Sequence, residues 1–446
     1  MRNSTVKIGL LSPCGWGNLG DAAIQEAMIH HIKRRIPDAE ICGFTLNPED
    51  TRKRHNIPTY PISSFSTNGY HISQEAGHNS FQPGESSATL QHFCVAMIKK
   101  IPFLYNFAKF IQHKAEDAGA ILRLIIRECA HFSRSVRILK GFQLLIVSGG
   151  GQLDDFWGGP WGQPYALLKW ALIARLTRTR FVFMSVGTSS LDFRLSRRFI
   201  KGALSLAYYR SFRDEVSKER LQNIAITHND RVLPDLAYSL PLDAYRKKCN
   251  RPSKRPIVAV SPISYCDPRT WPRQDQELYD DYILRLANFV AWLLNSDYEI
   301  LLFASTASDL STIDDVRNVL ASLHVRGEGC LQPGIPEITV RDLLTQLSGV
   351  DFVVASRLHG VILSHMLNLP VLALSHDPKV DIHMANNGQK DFCLNIEEFN
   401  ADTISEAFAR IVSSEEAIKG VLRDKTSMYT ALLDEQYDLV FRHAAY

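Results

Sequence analysis

The sequence predicts an α/β protein made of two Rossmann-like, parallel-sheet domains that face each other across a cleft. Short apolar runs rich in β-branched residues alternate with stretches of helical spacing along most of the chain. The 446 residues also exceed what one hydrophobic core usually organises. Tyr245–Pro256 is basic, contains proline and has no periodic pattern, so we place the boundary there and expect domains at 1–245 and 246–446.

The composition excludes several classes of protein. The formal net charge of +3 is too small to indicate a nucleic-acid partner, and no basic strip carries interleaved aromatic residues. No run of about 18 apolar residues is present, and Val6–Leu11 is too short for a signal-peptide core. The eight cysteines form no CxxC pair, so we expect no zinc site and a reduced, cytoplasmic protein.

The first predicted strand, Val6–Leu11, runs into a turn rich in glycine and proline and then into a helix that ends near Arg35. A glycine turn before a helix N-terminus suits anions or sugar hydroxyls, although the spacings of nucleotide-binding loops are absent. Asn18 and Asp21 are therefore candidates for contact with a substrate. The alternative is that Asp21 only caps the helix.

The region 64–140 is predicted to be an insertion. Ser64–Gln91 is polar and has little to bury, which favours a mobile loop. Phe93–Lys140 has helical spacing, an apolar face and an excess of basic residues. It could rest on an anionic membrane surface, as a peripheral contact, or pack as a helical cap on its own domain, and both alternatives remain open.

A second glycine turn follows the buried strand Phe142–Val147. Gly150 allows a ligand to approach the backbone, and polar and aromatic side chains come directly after it. Rings beside carboxylates suit a sugar, although the tryptophans could equally pack between domains. The candidates for acceptor contact are Gly150, Gln152, Asp154, Asp155 and Trp157.

Further strands and helices complete the first half. The strand Tyr208–Arg213 ends at Arg213, whose guanidinium matches carboxylate or phosphate geometry, unless it only pairs with Asp214 or Asp235. The other elements predicted before residue 245 are a strand at Glu40–Leu46, a helix at Tyr165–Leu176, a strand at Arg180–Val186 and a helix at Arg194–Leu206.

The second half centres on Ser356–Gly360, a polar turn between the strand Val350–Ala355 and a helix. In an open parallel sheet such a turn lies at the carboxyl end of a strand, where ligands bind. It brings the cation of Arg357 next to the imidazole of His359, and Ser356 and Gly360 flank them. The pattern indicates an anion site with a proton donor; the alternative is a capping serine, a surface arginine and a core histidine.

The remaining elements of the second half follow the same alternation of strand and helix. The predicted strands are Ile257–Ser261, Glu299–Phe303 and Val371–Leu374, and the predicted helices are Tyr279–Leu294, Asp309–Leu323, Thr339–Leu347, Val361–Leu367, Phe399–Val412 and Glu415–Leu433.

An ordered set of short motifs resembles the polysaccharide pyruvyl transferase family. The resemblance covers most of the chain outside roughly Ser64–Lys140. It implies a GT-B-like layout of two domains, with the last helix folding back on the first. The motifs are Gly17–Asp21, Gly149–Leu153, Ser185–Gly187, Ser211–Glu215, Pro234–Ala237, Ser356–Gly360 and Asp377–Val380.

The resemblance implies transfer of a pyruvyl group from phosphoenolpyruvate to a saccharide, either a polysaccharide or its lipid-linked precursor, with formation of a cyclic ketal. Arg357, Arg213 and Lys379 would bind the donor, with Ser356 and Gly360 beside them, and His359 would protonate it. A carboxylate would accept hydroxyl protons, for which Asp21, Asp154 and Asp155 are candidates. The scheme requires neither a metal nor an organic cofactor.

Two other functions fit the same layout. A nucleotide-sugar glycosyltransferase would use the basic residues for a diphosphate and an acidic residue of the pair Glu397 and Glu398 for the ribose. A glycan-binding protein without catalytic activity would use only the aromatic cleft.

Overall fold

A computed structural model gives the structure of the chain. It describes residues 5–442 except 14, 16, 65–121, 156–157, 190, 223, 225–229, 245–254, 324–330 and 333–338. Most of the predicted insertion at 64–140, including the loop predicted at Ser64–Gln91, therefore lies outside the described residues, and so does Trp157.

The first domain is built on a parallel sheet of seven strands within the described residues. The strands are β1 (Lys7–Leu11), β2 (Glu40–Thr45), β3 (Thr59–Pro61), β4 (Leu144–Ser148), β5 (Arg180–Val186), β6 (Tyr209–Phe212) and β7 (Arg231–Val232). Their order is β3-β2-β1-β4-β5-β6-β7. Since β1 and β4 are adjacent at the centre, the two glycine turns that follow them end at the same edge of the sheet.

The second domain repeats this plan with a parallel sheet of six described strands. They are β8 (Ile257–Ser261), β9 (Glu299–Leu302), β10 (Leu331–Gln332), β11 (Phe352–Ala355), β12 (Val371–Ser375) and β13 (Cys393–Asn395). Their order is β10-β9-β8-β11-β12-β13, which places β11 at the centre with β8 and β12 beside it. The two parallel-sheet domains confirm the predicted fold class.

Helices connect the strands in both domains. Those of the first half are α1 (Leu19–Arg35), α2 (Pro48–His55), α3 (residues 122–139), α4 (Gln163–Thr177), α5 (Arg194–Ser205) and α6 (Glu215–Gln222). Those of the second half are α7 (Gln276–Asn295), α8 (Leu310–Ser322), α9 (Val340–Leu347), α10 (Leu358–Met366), α11 (Pro378–Asn386), α12 (Ala401–Ser413) and α13 (Glu415–Arg442). Among the described residues, no helix is both long and apolar enough to cross a membrane.

Several short elements were not predicted from the sequence. Helix α2 is strongly charged and buries little, so it carries no apolar stripe, but Asn47 caps its N-terminus and Pro48 starts it. In the same way, Asp377 caps the N-terminus of α11 and Pro378 starts the helix. The Asp377 side chain accepts from the backbone N–H of Lys379. In both helices the start signal is local, whereas the sequence interpretation relied on periodicity.

The two domains are joined at the edge where the glycine turns lie. The backbone N–H of Leu19, at the start of α1, donates to the carbonyl of Ser305 in the second domain at 2.9 Å. Gly17 has a φ of +75°, and a Cβ there would stand 3.0 Å from that of Ala307. A residue with a side chain would be both strained and crowded at this position, so the glycine allows the close approach.

Helix α13 leaves the second domain and packs against the first. Arg35 of α1 donates to Asp434 and to Asp438, at 2.7 Å in each case. The buried Gln436 donates to Ser211 of β6, and the hydroxyls of Tyr437 and Ser239 are 2.9 Å apart. The last helix therefore joins the second domain to α1, β6 and Ser239 of the first domain.

We predict that Arg35→Ala weakens this fastening. The guanidinium is 12% exposed and bonds to two carboxylates, so its loss should lower the free energy of unfolding by about 1–3 kcal/mol. Lys419→Ala is the control, because Lys419 pairs with Glu415 within α13 and such pairs contribute at most about 0.5 kcal/mol. Urea denaturation of both variants measures the difference, and equal losses would contradict the assignment.

Candidate active site

The polar turn after β11 provides the first part of the site. Arg357 is the N-cap residue of α10, and His359 lies in the first turn of that helix. Ser356 is fully buried, so its hydroxyl does not face a ligand, contrary to the predicted donor contact. Gly360 is also buried, and a Cβ there would be no closer than 3.5 Å to other atoms. The predicted close approach of a ligand at Gly360 is therefore not supported.

Arg357 is held by a carboxylate that the sequence interpretation missed. Its Nε and Nη2 donate to Asp309 at 2.9 and 2.7 Å, and the guanidinium lies over the ring of Trp271. Asp309 is itself buried and also accepts from the backbone N–H of Ser264. This two-point contact fixes the plane of the guanidinium, which keeps 22% of its side chain exposed for a ligand.

One carboxylate, that of Asp235, faces a guanidinium from its own domain and an imidazole from the other. Its Oδ2 is 3.7 Å from Nη1 of Arg213 and 3.7 Å from Nε2 of His359. Both Oδ2 and Nε2 are buried and make no hydrogen bond. Oδ1 accepts from the backbone N–H of Ala237 at 3.0 Å, so the carboxylate is held in place.

The charge state of Asp235 follows from this environment. Its burial alone would raise the pKa of the carboxyl, but the facing His359 and Arg213 lower that pKa to about 2. Asp235 is therefore ionised at any physiological pH. A carboxylate with such a low pKa is a weak base. Asp235 is therefore better suited to orienting a neighbouring side chain than to accepting protons.

Two glycines let these side chains approach the backbone of the first domain. A Cβ on Gly20 would stand 2.0 Å from Nδ1 of His359, so the imidazole lies directly against the start of α1. A Cβ on Gly187 would stand 2.7 Å from Nη2 of Arg213, so that guanidinium lies against the turn after β5. Arg213 and His359 keep only 8% and 14% of their side chains exposed.

Asp21, Asp154 and Lys379 form the other side of the cleft. Burial raises the pKa of Asp21 and raises that of Asp154 to about 6. The positive charge of Lys379 acts in the opposite direction on both carboxyls, but its effect is smaller. Lys379, in the first turn of α11, donates to Asp377 at 2.9 Å and keeps 34% of its side chain exposed. A carboxyl with a raised pKa is a stronger base when ionised, so these two acids suit proton transfer better than Asp235 does.

A family model shows which protein family this chain belongs to. Residues 18–378 match the model of the polysaccharide pyruvyl transferase family, a span that contains Asp21, Asp154, Arg213, Asp235, Arg357 and His359 and ends one residue before Lys379. The chain belongs to this family. It is thus a transferase that acts in the chemistry of saccharides, as the motifs predicted.

Comparison with solved structures shows the fold. The S. aureus MnaA–UDP structure is 11% identical, with a TM-score of 0.53, and the match covers 94% of this chain and 91% of that one. HepE of Anabaena in complex with UDP is also 11% identical, with a TM-score of 0.53 and 98% of both chains covered. UDP-GlcNAc 2-epimerase of Methanocaldococcus jannaschii is 10% identical, with a TM-score of 0.53, and covers 91% of this chain and 92% of that one. No curated protein matches the sequence.

The predicted acceptor residues of this family member divide into two groups. Asp154 and Gly150 lie at the cleft, and Gly150 has a φ of +73° and stands beside Asp21. Asn18 caps α1, with its Oδ1 accepting from the backbone N–H groups of Gly20 and Asp21. Asn18 rather than Asp21 is therefore the cap residue.

Two other predicted acceptor residues are buried and support the structure. Gln152 is 2% exposed, and its amide oxygen accepts from Gln163 at 2.8 Å. Asp155 is 3% exposed, and its two oxygens accept from the backbone N–H groups of Asp192 and Phe193. These contacts join the loops after β4 and β5, so neither side chain is available to a sugar.

Two histidines close to Asp235 were not predicted from the sequence. Nδ1 of His365 is 3.2 Å from Nε2 of His383, and burial lowers the pKa of both rings, to about 3 for His383. Both histidines are therefore neutral. The signal for Asp235 was present in the motif Pro234–Ala237, but Asp235 was considered only as a partner of Arg213. Among the described residues, no group of three His, Cys, Asp or Glu side chains could hold a metal ion.

We predict that Gly20→Ala displaces the imidazole of His359, because the new methyl group would occupy the position of the ring. The overlap should cost about 1–3 kcal/mol of unfolding free energy, and a crystal structure of the variant should show the ring moved.

Gly360→Ala is the matched control in the same site. Its methyl group would meet Ala355 at an ordinary 3.5 Å, and alanine favours a helix by up to about 1 kcal/mol over glycine. If Gly20→Ala left the ring in place, the contact between the two domains would not be as close as described.

Proposed function

We propose that the protein transfers a pyruvyl group from phosphoenolpyruvate to two hydroxyls of a saccharide, forming a pyruvate ketal and releasing phosphate. The observation that carries this proposal is the convergence of Arg213 from the first domain and His359 from the second on one carboxylate, Asp235. A cation and a proton donor then meet in a single cleft, as the reaction requires. Membership of the polysaccharide pyruvyl transferase family supports the saccharide acceptor.

Donor binding requires fixed positive charge, because phosphoenolpyruvate carries two to three negative charges. Arg357 and Lys379 keep 22% and 34% of their side chains exposed and Arg213 keeps 8%, while carboxylates hold all three in place. Each cation is therefore oriented before the donor arrives, which lowers the cost of binding. We assign the phosphate and carboxylate of the donor to these three side chains.

His359 is assigned the proton transfer to the methylene carbon of the donor. Nε2 is buried and faces Asp235, so this carboxylate orients the imidazole ring that delivers the proton. Protonation converts the methylene to a methyl group and makes the adjacent carbon electrophilic. A saccharide hydroxyl attacks that carbon, phosphate leaves with one proton, and the second hydroxyl closes the ketal ring.

The acceptor hydroxyls must lose two protons in this sequence. One of these protons returns to His359 and replaces the proton that it delivered. The other leaves with phosphate, so the number of protons balances. Asp154 and Asp21 are the proposed bases, because burial raises the pKa of both. Asp154, with a pKa of about 6, is mostly ionised at neutral pH and still basic.

The competing function is transfer from a nucleotide sugar. The solved structures that this chain resembles include complexes with UDP, which makes UDP the appropriate competitor in a binding test. Glu397, the candidate for contact with a ribose, already accepts a hydrogen bond from Tyr265. This contact reduces its availability, and we favour phosphoenolpyruvate as the donor. Because this donor is an intracellular metabolite, we place the reaction in the cytoplasm.

We predict that phosphoenolpyruvate binds and UDP does not, as measured by calorimetry. Arg357→Ala should weaken donor binding at least tenfold because it removes a positioned cation. His359→Ala should retain donor binding within a few-fold but lose 10²–10⁴-fold of turnover, measured as phosphate release with a panel of saccharide acceptors.

His30→Ala is the control, since His30 is an exposed histidine of α1 outside the cleft. Its turnover should equal that of the parent. Binding of UDP without phosphoenolpyruvate, or full turnover of His359→Ala, would overturn the proposed function.

We also predict that the neutral ring of His359 carries its proton on Nε2, because the ionised Asp235 faces that nitrogen. ¹⁵N NMR of labelled histidines in the ligand-free protein reads the tautomer directly. Asp235→Asn should reduce the preference, whereas Asp214→Asn, which removes a neighbouring carboxylate of Arg213 that does not face His359, should leave it unchanged. A proton on Nδ1 in the parent would contradict the orientation.

A further inference from the structure

One surface of the first domain combines exposed apolar side chains with a strong excess of basic residues. Between residues 163 and 208 the chain has eight lysines and arginines and one acidic residue, Asp192. Of these eight, only Lys169 is buried, where it pairs with Glu128. The whole chain has a net charge of only +3, so this segment concentrates positive charge on one part of the molecule.

The basic residues of α5 lie on a single stripe. Arg194, Arg197, Arg198 and Lys201 are all exposed, and their spacing of three and four residues places them on one face of the helix. The opposite face buries Ser196, Ile200, Ala203 and Leu204. The helix has no acidic residue, so no ion pair within it neutralises the stripe.

The apolar part of the surface comes from α4 and from the loops beside α5. Trp161 is 68% exposed and Phe193 is 53% exposed, while Leu172 and Leu176 of α4 are 43% and 65% exposed. Trp161 contacts Tyr165 and Phe199, with ring centroids 5.6 Å apart in each case. The apolar residues of α4 therefore continue to the start of the basic stripe on α5.

This surface adjoins the cleft. Trp161 follows the loop after β4, and Phe193 follows the loop after β5, so both lie at the strand ends where the site is built. Asp155 and Gln152 fasten these loops through the hydrogen bonds described above. Gln152 and Asp155 therefore hold the loops that carry Trp161 and Phe193 in place at the rim of the cleft.

We propose that α4, α5 and the side chains of Trp161 and Phe193 dock the protein on an anionic membrane surface. Aromatic and aliphatic side chains beside a row of arginines suit the interface between lipid headgroups and acyl chains, where the cations meet phosphate. A large exposed apolar patch otherwise has a cost in solubility and commonly marks an interaction site. The occupant that matches both the charge and the apolar side chains is a bilayer containing acidic lipids.

The location differs from the one predicted from the sequence, which placed membrane contact in 93–140. Residues 93–121 lie outside the described residues, and α3 contacts the docking surface through Glu128, which accepts from Tyr165 and Lys169. Docking at α4 and α5 would bring the cleft to the bilayer and would favour a lipid-linked acceptor. That last step rests on the proposed function, but the docking itself does not.

The test is co-sedimentation of the full chain with vesicles of phosphatidylcholine containing 30% phosphatidylglycerol, compared with pure phosphatidylcholine. The protein should bind the anionic vesicles only, and more weakly as salt rises. Arg194→Ser with Arg198→Ser should lower the binding constant roughly 30-fold, from about fivefold for each cation lost near the surface. Arg410→Ser with Arg423→Ser, two exposed arginines of α12 and α13, is the charge-matched control and should change binding less than threefold.

Brominated lipids locate the contact. They should quench part of the tryptophan emission in the parent, and Trp161→Phe should remove most of that quenching. Equal binding to both kinds of vesicle, an equal loss in the control variant, or unchanged quenching in Trp161→Phe would each overturn the proposal. Retention on an anionic polysaccharide such as alginate without binding to vesicles would assign the surface to a polymer instead. No phosphoenolpyruvate is present, so failure of the proposed function would leave these results unaffected.

Discussion

The arrangement of the site depends on the carboxylate of Asp235, which faces a guanidinium from its own domain and an imidazole from the other. Inside a protein a carboxylate is costly to bury unless cationic groups stand close by. Arg213 and His359 provide this compensation and lower the pKa of Asp235 to about 2 although it is buried. Because His359 belongs to α10, separating the domains would leave a buried charge only partly compensated. The contacts of the candidate site and the closed arrangement of the domains therefore stabilise each other.

The positive groups of the cleft share a common design. Arg357 is held by Asp309, Arg213 by Asp214 and Asp235, and Lys379 by Asp377. Each carboxylate fixes the position of its cation, and Arg357 and Lys379 keep the larger exposed parts. Without a donor the cleft is therefore not strongly positive, and an arriving trianion would compete with fixed carboxylates for the same cations. Such competition favours a small ligand with several charges over one that offers a single phosphate.

The sequence was most informative where a pattern is local. Buried strands such as β5 and β8 could be predicted because apolar runs determine them within a few positions. The short helices α2 and α6 were missed because they have little apolar periodicity. The fold class followed from the alternation of these elements.

The site was harder to predict because its contacts join distant parts of the chain. Asp309 precedes Arg357 by 48 residues, and Asp235 lies in the other domain from His359. No spacing rule connects such residues before the sheets are assembled. Side-chain type alone also misled the interpretation of Gln152 and Asp155, which look like sugar ligands but satisfy backbone and side-chain groups of neighbouring loops. Burial, which decides between these two uses, cannot be read from residue type.

The path of α13 has a consequence for recombining parts of related enzymes. Its residues Asp434, Gln436 and Tyr437 belong to the second half by sequence but bond to Arg35, Ser211 and Ser239 of the first. A chimera joined only within 245–256 would pair a foreign terminal helix with α1 and β6. Crossovers that keep residues 415–442 with their own N-terminal half preserve those bonds, so a transferable module in this fold is made of two separate pieces of sequence.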